Sequence, residues 1–250
     1  MGNSSALEKN NLYNISVIIP VYNMEKYLKK TLDNYILQNN NKIEFIIIDD
    51  GSTDLSGSIC DTYMNSHKNV RVYHTKNHGV ASSRNYGIAL SEGEYLAFLD
   101  ADDFIDKNML SSMYCFAKEY SLDFVHCGIS MERETSDGKY IVQSLLAYDS
   151  KNNVYSYHDI VSNMLSLWEK AVPYNVVNKL YKRSIIKDND INFPDLKMGE
   201  DLEFNLRYMK HIKCMGTIPE CLYHYVRDRE NSATSNYVVN WFPIRVAEHQ

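Results

Sequence analysis

IEFIIIDDGSTD, residues 43–54, is an apolar run that ends in two acids and a turn. Short apolar runs rich in β-branched residues, followed by turn-forming residues, are typical of strands buried inside a parallel sheet. The run therefore predicts a buried strand, and Asp49 and Asp50 stand where that strand ends.

The same pattern recurs on both sides of this stretch and alternates with helical patterns. ISVIIPVY (15–22), VRVYHT (70–75) and GEYLAFLD (93–100) are predicted strands. EKYLKKTLDNYILQ (25–38), DLSGSICDTYMNSH (54–67) and GVASSRNYGIALS (79–91) are predicted helices, and the first has Tyr27, Leu28, Thr31, Leu32, Tyr35 and Ile36 on one face. Alternation with short connections predicts an α/β protein whose Rossmann-like central sheet is mostly parallel, with helices on both faces.

The composition excludes several classes of protein. The 250 residues carry a net charge of -6 without a basic cluster, which argues against a nucleic-acid partner. The five cysteines are scattered and form no C-x-x-C pair, so neither a zinc knuckle nor a disulfide framework is expected. The sequence shows no apolar run of membrane-spanning length and no signal-peptide pattern. We therefore expect a cytoplasmic protein without a transmembrane segment, and peripheral association with the inner face of the membrane stays open.

Polar residues follow three of the predicted strands at the point where each ends. Tyr22 and Asn23 follow the first strand, Asp50 ends the second, and Asp100 and Asp102 follow the fourth. Ligands of open parallel sheets bind beyond the carboxyl ends of the strands. The sequence therefore predicts a ligand site at this edge of the sheet.

The loops at this edge limit the choice of ligand. The loop after the first strand, PVYNMEKY (20–27), has no glycine, which excludes a dinucleotide-binding loop, and no P-loop pattern occurs. FLDADDF (98–104) instead places three aspartates within four positions. Carboxylates packed so closely favour a shared divalent cation, and hard oxygen ligands favour Mg²⁺ or Mn²⁺, which can neutralise the phosphates of a nucleotide.

The motifs resemble a known family. ISVIIPVYN, IIIDDGSTD, GVASSRNYGI and EYLAFLDADD, in this order, resemble the nucleotide-sugar-binding half of family 2 glycosyltransferases with the GT-A fold. The resemblance continues through NKLYKRSII, GEDLEFNLRY and CLYHYVRDRENS. It implies an inverting, metal-dependent enzyme that moves a sugar from a UDP-sugar to a glycan, a lipid-linked acceptor or a glycoprotein, in bacterial surface polysaccharide or glycoconjugate synthesis.

The resemblance also implies a domain organisation. After a disordered lead-in (1–12), we expect a single GT-A domain (13–250) in two halves. Residues 13–131 would bind the nucleotide-sugar, and residues 132–250 would form the acceptor-side subregion that supplies the catalytic base. The chain ends in the apolar stretch WFPIRVAEHQ, which suggests a fragment of a longer protein.

For the donor, the resemblance implies a base pocket and a phosphate contact. Pro20, Tyr22 and Asn23 would line the base pocket, with Tyr22 near the uracil ring. Asp50 would accept a hydrogen bond from uracil N3–H. Arg84, on the third predicted helix, would face the nucleotide or its phosphates.

In the DADD stretch, Asp102 would ligate the metal directly, and Asp100 would contact the ribose or a metal-bound water. Ala101 lies between them in the same binding loop. Asp103 has two interpretations, as a further site residue or as the N-cap of a helix near DKNML. Asp49 would cap the turn that follows it.

In the second half, the resemblance places the catalytic base in the acidic pair of GEDLEFNLRY. Asp201 is the predicted base and Glu200 would orient or bind the acceptor, although two acids are also favoured at a helix start by the helix dipole. His224 would complete the metal shell, or else is an ordinary strand residue. Arg227 and Arg229 would pair with the diphosphate.

NKLYKRSIIKDNDINFP (178–194) is predicted to form a turn and a short helix. Lys179, Lys182 and Arg183 are interpreted as a solvated face, with steering of an anionic acceptor as the alternative.

Two other functions stay open. A non-catalytic nucleotide-sugar-binding module would be expected to lack the base or the DxD motif, and both are present. A nucleotidyltransferase would need a basic, glycine-rich first loop, which is absent.

Overall fold

The computed structural model describes residues 12–36, 42–170 and 172–227. Its central feature is a ten-stranded sheet of order β3-β2-β1-β4-β9-β6-β10-β5, with β7 paired to β6 and β8 paired to β10. The strands are β1 (Ile15–Val21), β2 (Ile43–Asp49), β3 (Val70–His74), β4 (Tyr95–Phe98), β5 (Phe104–Ile105), β6 (Phe124–Glu134), β7 (Tyr140–Leu146), β8 (Asn153–Ser156), β9 (Lys179–Lys182) and β10 (Cys214–Arg227). The helices are α1 (Glu25–Ile36), α2 (Ser56–Ser66), α3 (Val80–Leu90), α4 (Met109–Glu119), α5 (Tyr157–Ser162), α6 (Met164–Glu169), α7 (Arg183–Asp188) and α8 (Glu200–Met209).

The first four strands form the parallel unit that the alternating pattern predicted. β1 lies between β2 and β4, and β3 flanks β2, with every pair parallel. All seven residues of β2 are buried, as expected for a strand covered on both faces. The predicted face of α1 is confirmed for Leu28, Thr31, Leu32 and Tyr35, which are buried, while Tyr27 and Ile36 are half-buried.

The second half adds antiparallel strands to this unit. β9 pairs antiparallel with both β4 and β6, and β6 pairs parallel with β10. One sheet therefore runs through both predicted halves, and the predicted boundary between residues 131 and 132 falls inside β6.

The prediction of a turn before the short helix of 178–194 was wrong, because residues 179–182 form strand β9. Lys179 is fully buried and Lys182 pairs with Asp123 at 3.0 Å. Arg183 donates to the carbonyl of Ser91 at 3.2 Å. These basic residues do not form the solvated face that was expected, because each is held by a polar partner near the sheet.

Helix α3 packs directly on the parallel unit. A Cβ at Gly87 would collide with the Ile18 side chain on β1, so glycine permits the close approach. Because α3 follows β3 and precedes the parallel β4, its first turns, including Arg84, lie at the carboxyl edge of the strands.

Three further predictions can be compared with the structure. Of the predicted lead-in, only Leu12 lies within the described residues, and it is exposed. The five cysteines are all free thiols. No helix in the described part of the chain is both long and apolar enough to cross a membrane.

Candidate active site

The loops after β1, β2 and β4 meet at one edge of the sheet. Val21 and Asp49, the last residues of β1 and β2, are partners in the parallel register. β4 ends at Phe98 opposite Ile18, and the loop 99–103 follows. The hydroxyl of Tyr35 on α1 donates to the carbonyl of Asp100 at 2.8 Å, which fixes the start of this loop.

The first loop is tied to the second. Asn23 adopts a left-handed conformation (φ 52°), which asparagine tolerates better than most residues. Its side-chain oxygen accepts from the Thr53 backbone N–H at 2.8 Å, and its own N–H donates to the Ser52 hydroxyl at 3.0 Å. Tyr22 beside it is 45% exposed, so its ring is accessible at the edge, whereas Pro20 is half-buried in β1.

Asp50 is buried, and its carboxylate already has donors from its own chain. Its Oδ1 accepts from the His78 N–H at 2.9 Å and from the Thr75 hydroxyl at 3.3 Å, and its Oδ2 accepts from the Gly79 N–H at 2.8 Å. Asp50 thus holds the segment 75–79 that leads into α3. Asp49 accepts from the Ser52 N–H at 3.1 Å, as predicted for a turn cap.

Arg84 joins the loop after β4 to helix α8. Its Nη2 donates to Asp100 Oδ1 at 3.1 Å and its Nη1 to Asp201 Oδ1 at 2.7 Å, and Glu200 lies 3.6 Å from Nη1. The guanidinium also lies 5.3 Å from the centre of the Phe193 ring. The structure therefore directs Arg84 to three carboxylates, which the prediction of a phosphate contact did not include.

Asp201 lies in the first turn of α8, where the helix dipole favours a negative charge. Burial raises the pKa of Asp201 to about 6, although Arg84 opposes the shift, and the carboxylates of Glu200 and Asp100 add to it. A carboxylate with a pKa near 6 is largely ionised at neutral pH and still basic enough to accept a proton.

Helix α8 is held firmly against the sheet. Tyr181 on β9 donates to Asn205 Oδ1 at 2.7 Å, and Tyr208 donates to the Asp123 carbonyl at 2.6 Å. The Phe193 ring stacks on Phe204 with centroids 4.0 Å apart. These contacts fix the helix whose first turn carries Asp201.

With this geometry in place, comparison with known proteins decides the family. Residues 16–189 match the description Glycosyl transferase family 2. The chain belongs to this family. The match covers the strand ends, the DADD loop and β9, and the family 2 resemblance of the motifs is thereby confirmed.

Relatives and solved structures agree with this assignment. The uncharacterized glycosyltransferase EpsJ of Bacillus subtilis (strain 168) is 30% identical over 221 residues, which are 88% of this chain and 62% of EpsJ. The chain thus spans less than two thirds of that relative. The structure of Staphylococcus aureus TarS 1-349 in complex with UDP-GlcNAc matches with a TM-score of 0.73 at 26% identity, covering 90% of this chain and 62% of that one. This match confirms the GT-A fold.

A more distant neighbour shares the fold alone. The mannosyltransferase PcManGT from Pyrobaculum calidifontis, in complex with GDP-Man and Mn²⁺, matches with a TM-score of 0.62 at 18% identity, covering 87% of this chain and 58% of that one.

The DADD loop divides its side chains between surface and interior. Asp100 and Asp102 are half-buried at the edge, and Ala101 is buried. Asp103 is 1% exposed and accepts from the Tyr223 hydroxyl at 2.6 Å and the Val226 N–H at 2.9 Å. The interpretation of Asp103 as a helix cap was wrong, since α4 begins after Asn108 and Asp103 instead ties the loop to β10.

The fit to a divalent cation can be tested on these side chains. Asp100 and Asp102 offer hard oxygen ligands, and Mg²⁺ or Mn²⁺ needs only one or two carboxylates beside phosphate oxygens and water. Within the described residues, no group of three or more His, Cys, Asp or Glu side chains is arranged to hold a metal. Asp100 and Asp102 could therefore supply only part of the ligands of a divalent cation.

His224 is oriented by other carboxylates. Its Nδ1 lies 2.6 Å from Glu132, its Nε2 lies 3.3 Å from Asp106, and its ring stacks on Phe104. Both ring nitrogens therefore face carboxylates, and a metal at Nε2 would have to take the place of Asp106, so the ligand role stays a prediction. Arg227 is exposed at the end of β10, and Arg229 lies outside the described residues.

The sequence interpretation missed a buried basic residue near Asp201. Lys179 is fully buried on β9, with its Nζ donating to Asn178 Oδ1 at 2.7 Å and Asn175 Oδ1 at 2.8 Å. The local signal for this burial is weak: Lys179 is followed by the apolar residues Leu180 and Tyr181 and preceded by Asn178, which can accept a hydrogen bond from it.

Proposed function

We propose that the protein is a metal-dependent inverting glycosyltransferase that moves a sugar from a UDP-sugar to a hydroxyl of an acceptor. The acceptor is a glycan, a lipid-linked precursor or a glycoprotein, and the product belongs to bacterial surface polysaccharide or a related glycoconjugate. Family membership and the similarity to TarS in complex with UDP-GlcNAc support this proposal.

The observation that carries the proposal is the position of Arg84. Its two terminal nitrogens bind Asp100 of the DxD loop and Asp201 of α8 at 3.1 and 2.7 Å. A donor bound at the DADD loop would therefore lie beside Asp201. A nucleotide-binding module without chemistry would have no need for a half-buried carboxylate there with a pKa raised to about 6.

In this proposal, Asp201 takes the proton of the attacking hydroxyl. Its Oδ1 is held by Arg84, and in the described part of the chain no donor binds Oδ2, so Oδ2 can accept the proton. Glu200, whose side chain is 18% exposed, is placed to bind or orient the acceptor. Attack from this side, opposite the leaving UDP, inverts the anomeric centre.

On the donor side, Tyr22 and Pro20 would contact uracil, Asn23 shapes the loop, and Asp50 would accept from N3–H. When bound by Asp100 and Asp102, Mg²⁺ or Mn²⁺ supplies positive charge that stabilises the departing diphosphate. Arg227 and Arg229 would add hydrogen bonds to the same phosphates and help to exclude water.

The proposal is tested by incubating the protein with a panel of UDP-sugars, candidate acceptors and Mn²⁺ and measuring free UDP and pyrophosphate. A donor that binds should first raise the melting temperature, because it binds only the folded state. We expect UDP release that EDTA abolishes and that Asp102→Ala removes, while the exposed-site control Asp137→Ala retains it. Pyrophosphate release would identify a nucleotidyltransferase. Binding without release, with every acceptor offered, would identify a binding module.

A further inference from the structure

Lys179 is a buried cation that the proposed mechanism does not use. It lies on β9, near the middle of the sheet, and is fully buried. In the described ranges no carboxylate lies within 4.0 Å of its Nζ, and its partners are the neutral side-chain oxygens of Asn175 and Asn178. Burying an ammonium without a paired carboxylate costs free energy, so a buried lysine at this position is expected to have a function that offsets the cost.

The geometry directs Lys179 toward the first turn of α8. Lys179 and Tyr181 lie on the same face of β9, because side chains alternate along a strand. Tyr181 binds Asn205 of α8, and the N–H of Lys182 donates to the Tyr208 hydroxyl at 2.8 Å. β9 and α8 therefore run in the same direction, and Lys179 lies toward the N-terminal end of α8.

The loop that holds the ammonium is also tied to α8. Asn205 Nδ2 donates to the Asn175 carbonyl at 2.8 Å, and Asn175 holds Lys179 Nζ at 2.8 Å. Asn178 is anchored on the other side, where its amide donates to the Cys127 carbonyl. Lys179, its loop and the helix that carries Asp201 thus form one connected unit.

The titratable groups around this unit come from six elements: α3, the loop after β4, α8, β9, β6 and the end of α6. Arg84 (α3), Asp100 (after β4), Glu200 and Asp201 (α8) and Lys179 (β9) act on one another, while His126 on β6 faces Lys179 and Lys170 lies near His126. Burial lowers the pKa of His126 well below its usual value, so the imidazole is neutral. Arg84 is shared among three carboxylates, whereas the Lys179 charge has no carboxylate of its own.

We propose that Lys179 is a positioning residue for the transfer reaction, whose buried ammonium keeps Asp201 ionised and holds the 175–178 loop against α8. The inference rests on the proposed function, because it gives Asp201 the role of base. It adds that the base depends on a buried charge on β9.

The pH range follows from the directions of the shifts. Burial raises the pKa of Asp201 to about 6, and burial lowers the pKa of Lys179 to about 7. Above pH 7 the lysine loses its charge, but Asp201 is by then ionised without help. Below pH 6 the lysine is charged and opposes protonation of Asp201. Removal of the charge should therefore raise the pKa of Asp201 and move the acid limb of kcat/KM to higher pH.

The experiment compares Lys179→Met with Lys182→Met, a matched control on the same strand whose lysine pairs with Asp123. UDP release is measured with a fixed UDP-sugar between about pH 5 and pH 8, and UDP binding is measured by calorimetry. We expect the acid limb of Lys179→Met to move up by about one pH unit, an extra loss of about fivefold near pH 6 that approaches about tenfold at lower pH, with UDP affinity retained. Lys182→Met should follow the wild-type profile.

Asn175→Asp is the second variant, for use if Lys179→Met does not fold. It keeps the lysine but gives it a carboxylate partner, so it should also move the acid limb of kcat/KM to higher pH. Equal loss at every pH in either variant would show a packing role only and overturn the inference. Full activity of Asp201→Asn, or a wild-type profile without an acid limb, would overturn the role of Asp201 and this inference with it. A wild-type limb that depends on Asp201 but is unmoved in the Lys179 variant would overturn the inference alone.

Discussion

The two sides of the candidate site bury charge in different ways. On the proposed donor side, Asp50 and Asp103 are buried carboxylates that accept from backbone N–H and hydroxyl groups of their own chain. On the proposed acceptor side, Asp201 accepts from the Arg84 guanidinium, and the Lys179 ammonium donates to the side-chain oxygens of Asn175 and Asn178.

The difference separates structural carboxylates from reactive ones. Neutral donors satisfy a carboxylate and, by doing so, fix the loops from which they come. In a poorly solvated site, burial raises the pKa of a carboxylate and a neighbouring cation lowers it, and at Asp201 the balance leaves the pKa at about 6, which suits a general base. Substitutions at Asp50 and Asp103 should therefore cost mainly stability, and substitutions at Asp201 should cost mainly activity.

Asp201→Asn gives the largest expected effect. The amide keeps the shape of the side chain and a hydrogen-bond acceptor for Arg84, but it cannot take a proton. We expect kcat to fall by about 10²–10⁴-fold while UDP affinity is retained, as measured by UDP release and calorimetry. Glu200→Gln is the neighbouring control and should lose less. A larger fall in kcat in Glu200→Gln than in Asp201→Asn would make Glu200 the base and Asp201 the residue that orients the acceptor.

The distinction between the two sides could be predicted only in part from the sequence. The strands β1 to β4 and the edge where they end were predictable, because apolar runs and turn residues are local signals. The contact between Arg84 and Asp201 joins residues 117 positions apart, and no local pattern reports it.

Strand β9 and Asp103 show the same limit. Lysines at both ends of β9 indicated a solvated turn, yet the pairing of β9 with β4 and β6 places Lys179 inside the sheet, where it is fully buried. Asp103 lies within an acidic cluster that indicated ligand binding or a helix cap. Its partners Tyr223 and Val226 lie 120 and 123 residues further along the chain, so no local pattern reports them.

Asp103→Ala should have the next largest effect, on stability. The substitution leaves the Tyr223 hydroxyl and the Val226 N–H buried without an acceptor, so we expect a loss of about 2–4 kcal/mol in the free energy of unfolding. Urea unfolding measures it, with Asp137→Ala as an exposed control that should change little. A loss near 1 kcal/mol would be the size expected of a helix cap and would weaken the role assigned to the contact with β10.

Asp50→Asn should have the smallest effect on folding and a distinct effect on nucleotide choice. An amide nitrogen in place of one carboxylate oxygen would face the N–H of His78 or of Gly79, so one of these loses its acceptor. We expect a loss of about 1–2 kcal/mol in stability, measured by urea unfolding. Asp49→Asn is the matched control, because Asp49 is the adjacent buried carboxylate and accepts from Ser52 and His74 instead.

The same pair of variants decides whether Asp50 also reads the base. Three donors already bind its two oxygens, so uracil N3–H would be a fourth, which a carboxylate has the lone pairs to accept. Cytosine presents a bare N3 acceptor at that position and would be repelled, so the wild type should bind UDP more tightly than CDP by about 1–3 kcal/mol. Calorimetric titration of both nucleotides should show a smaller difference between UDP and CDP affinity in Asp50→Asn, because an amide can donate to cytosine N3. The difference should be unchanged in Asp49→Asn. Equal binding of UDP and CDP by the wild type would mean that Asp50 only holds the 75–79 segment, and the uracil contact would have to be sought among the other residues of the edge.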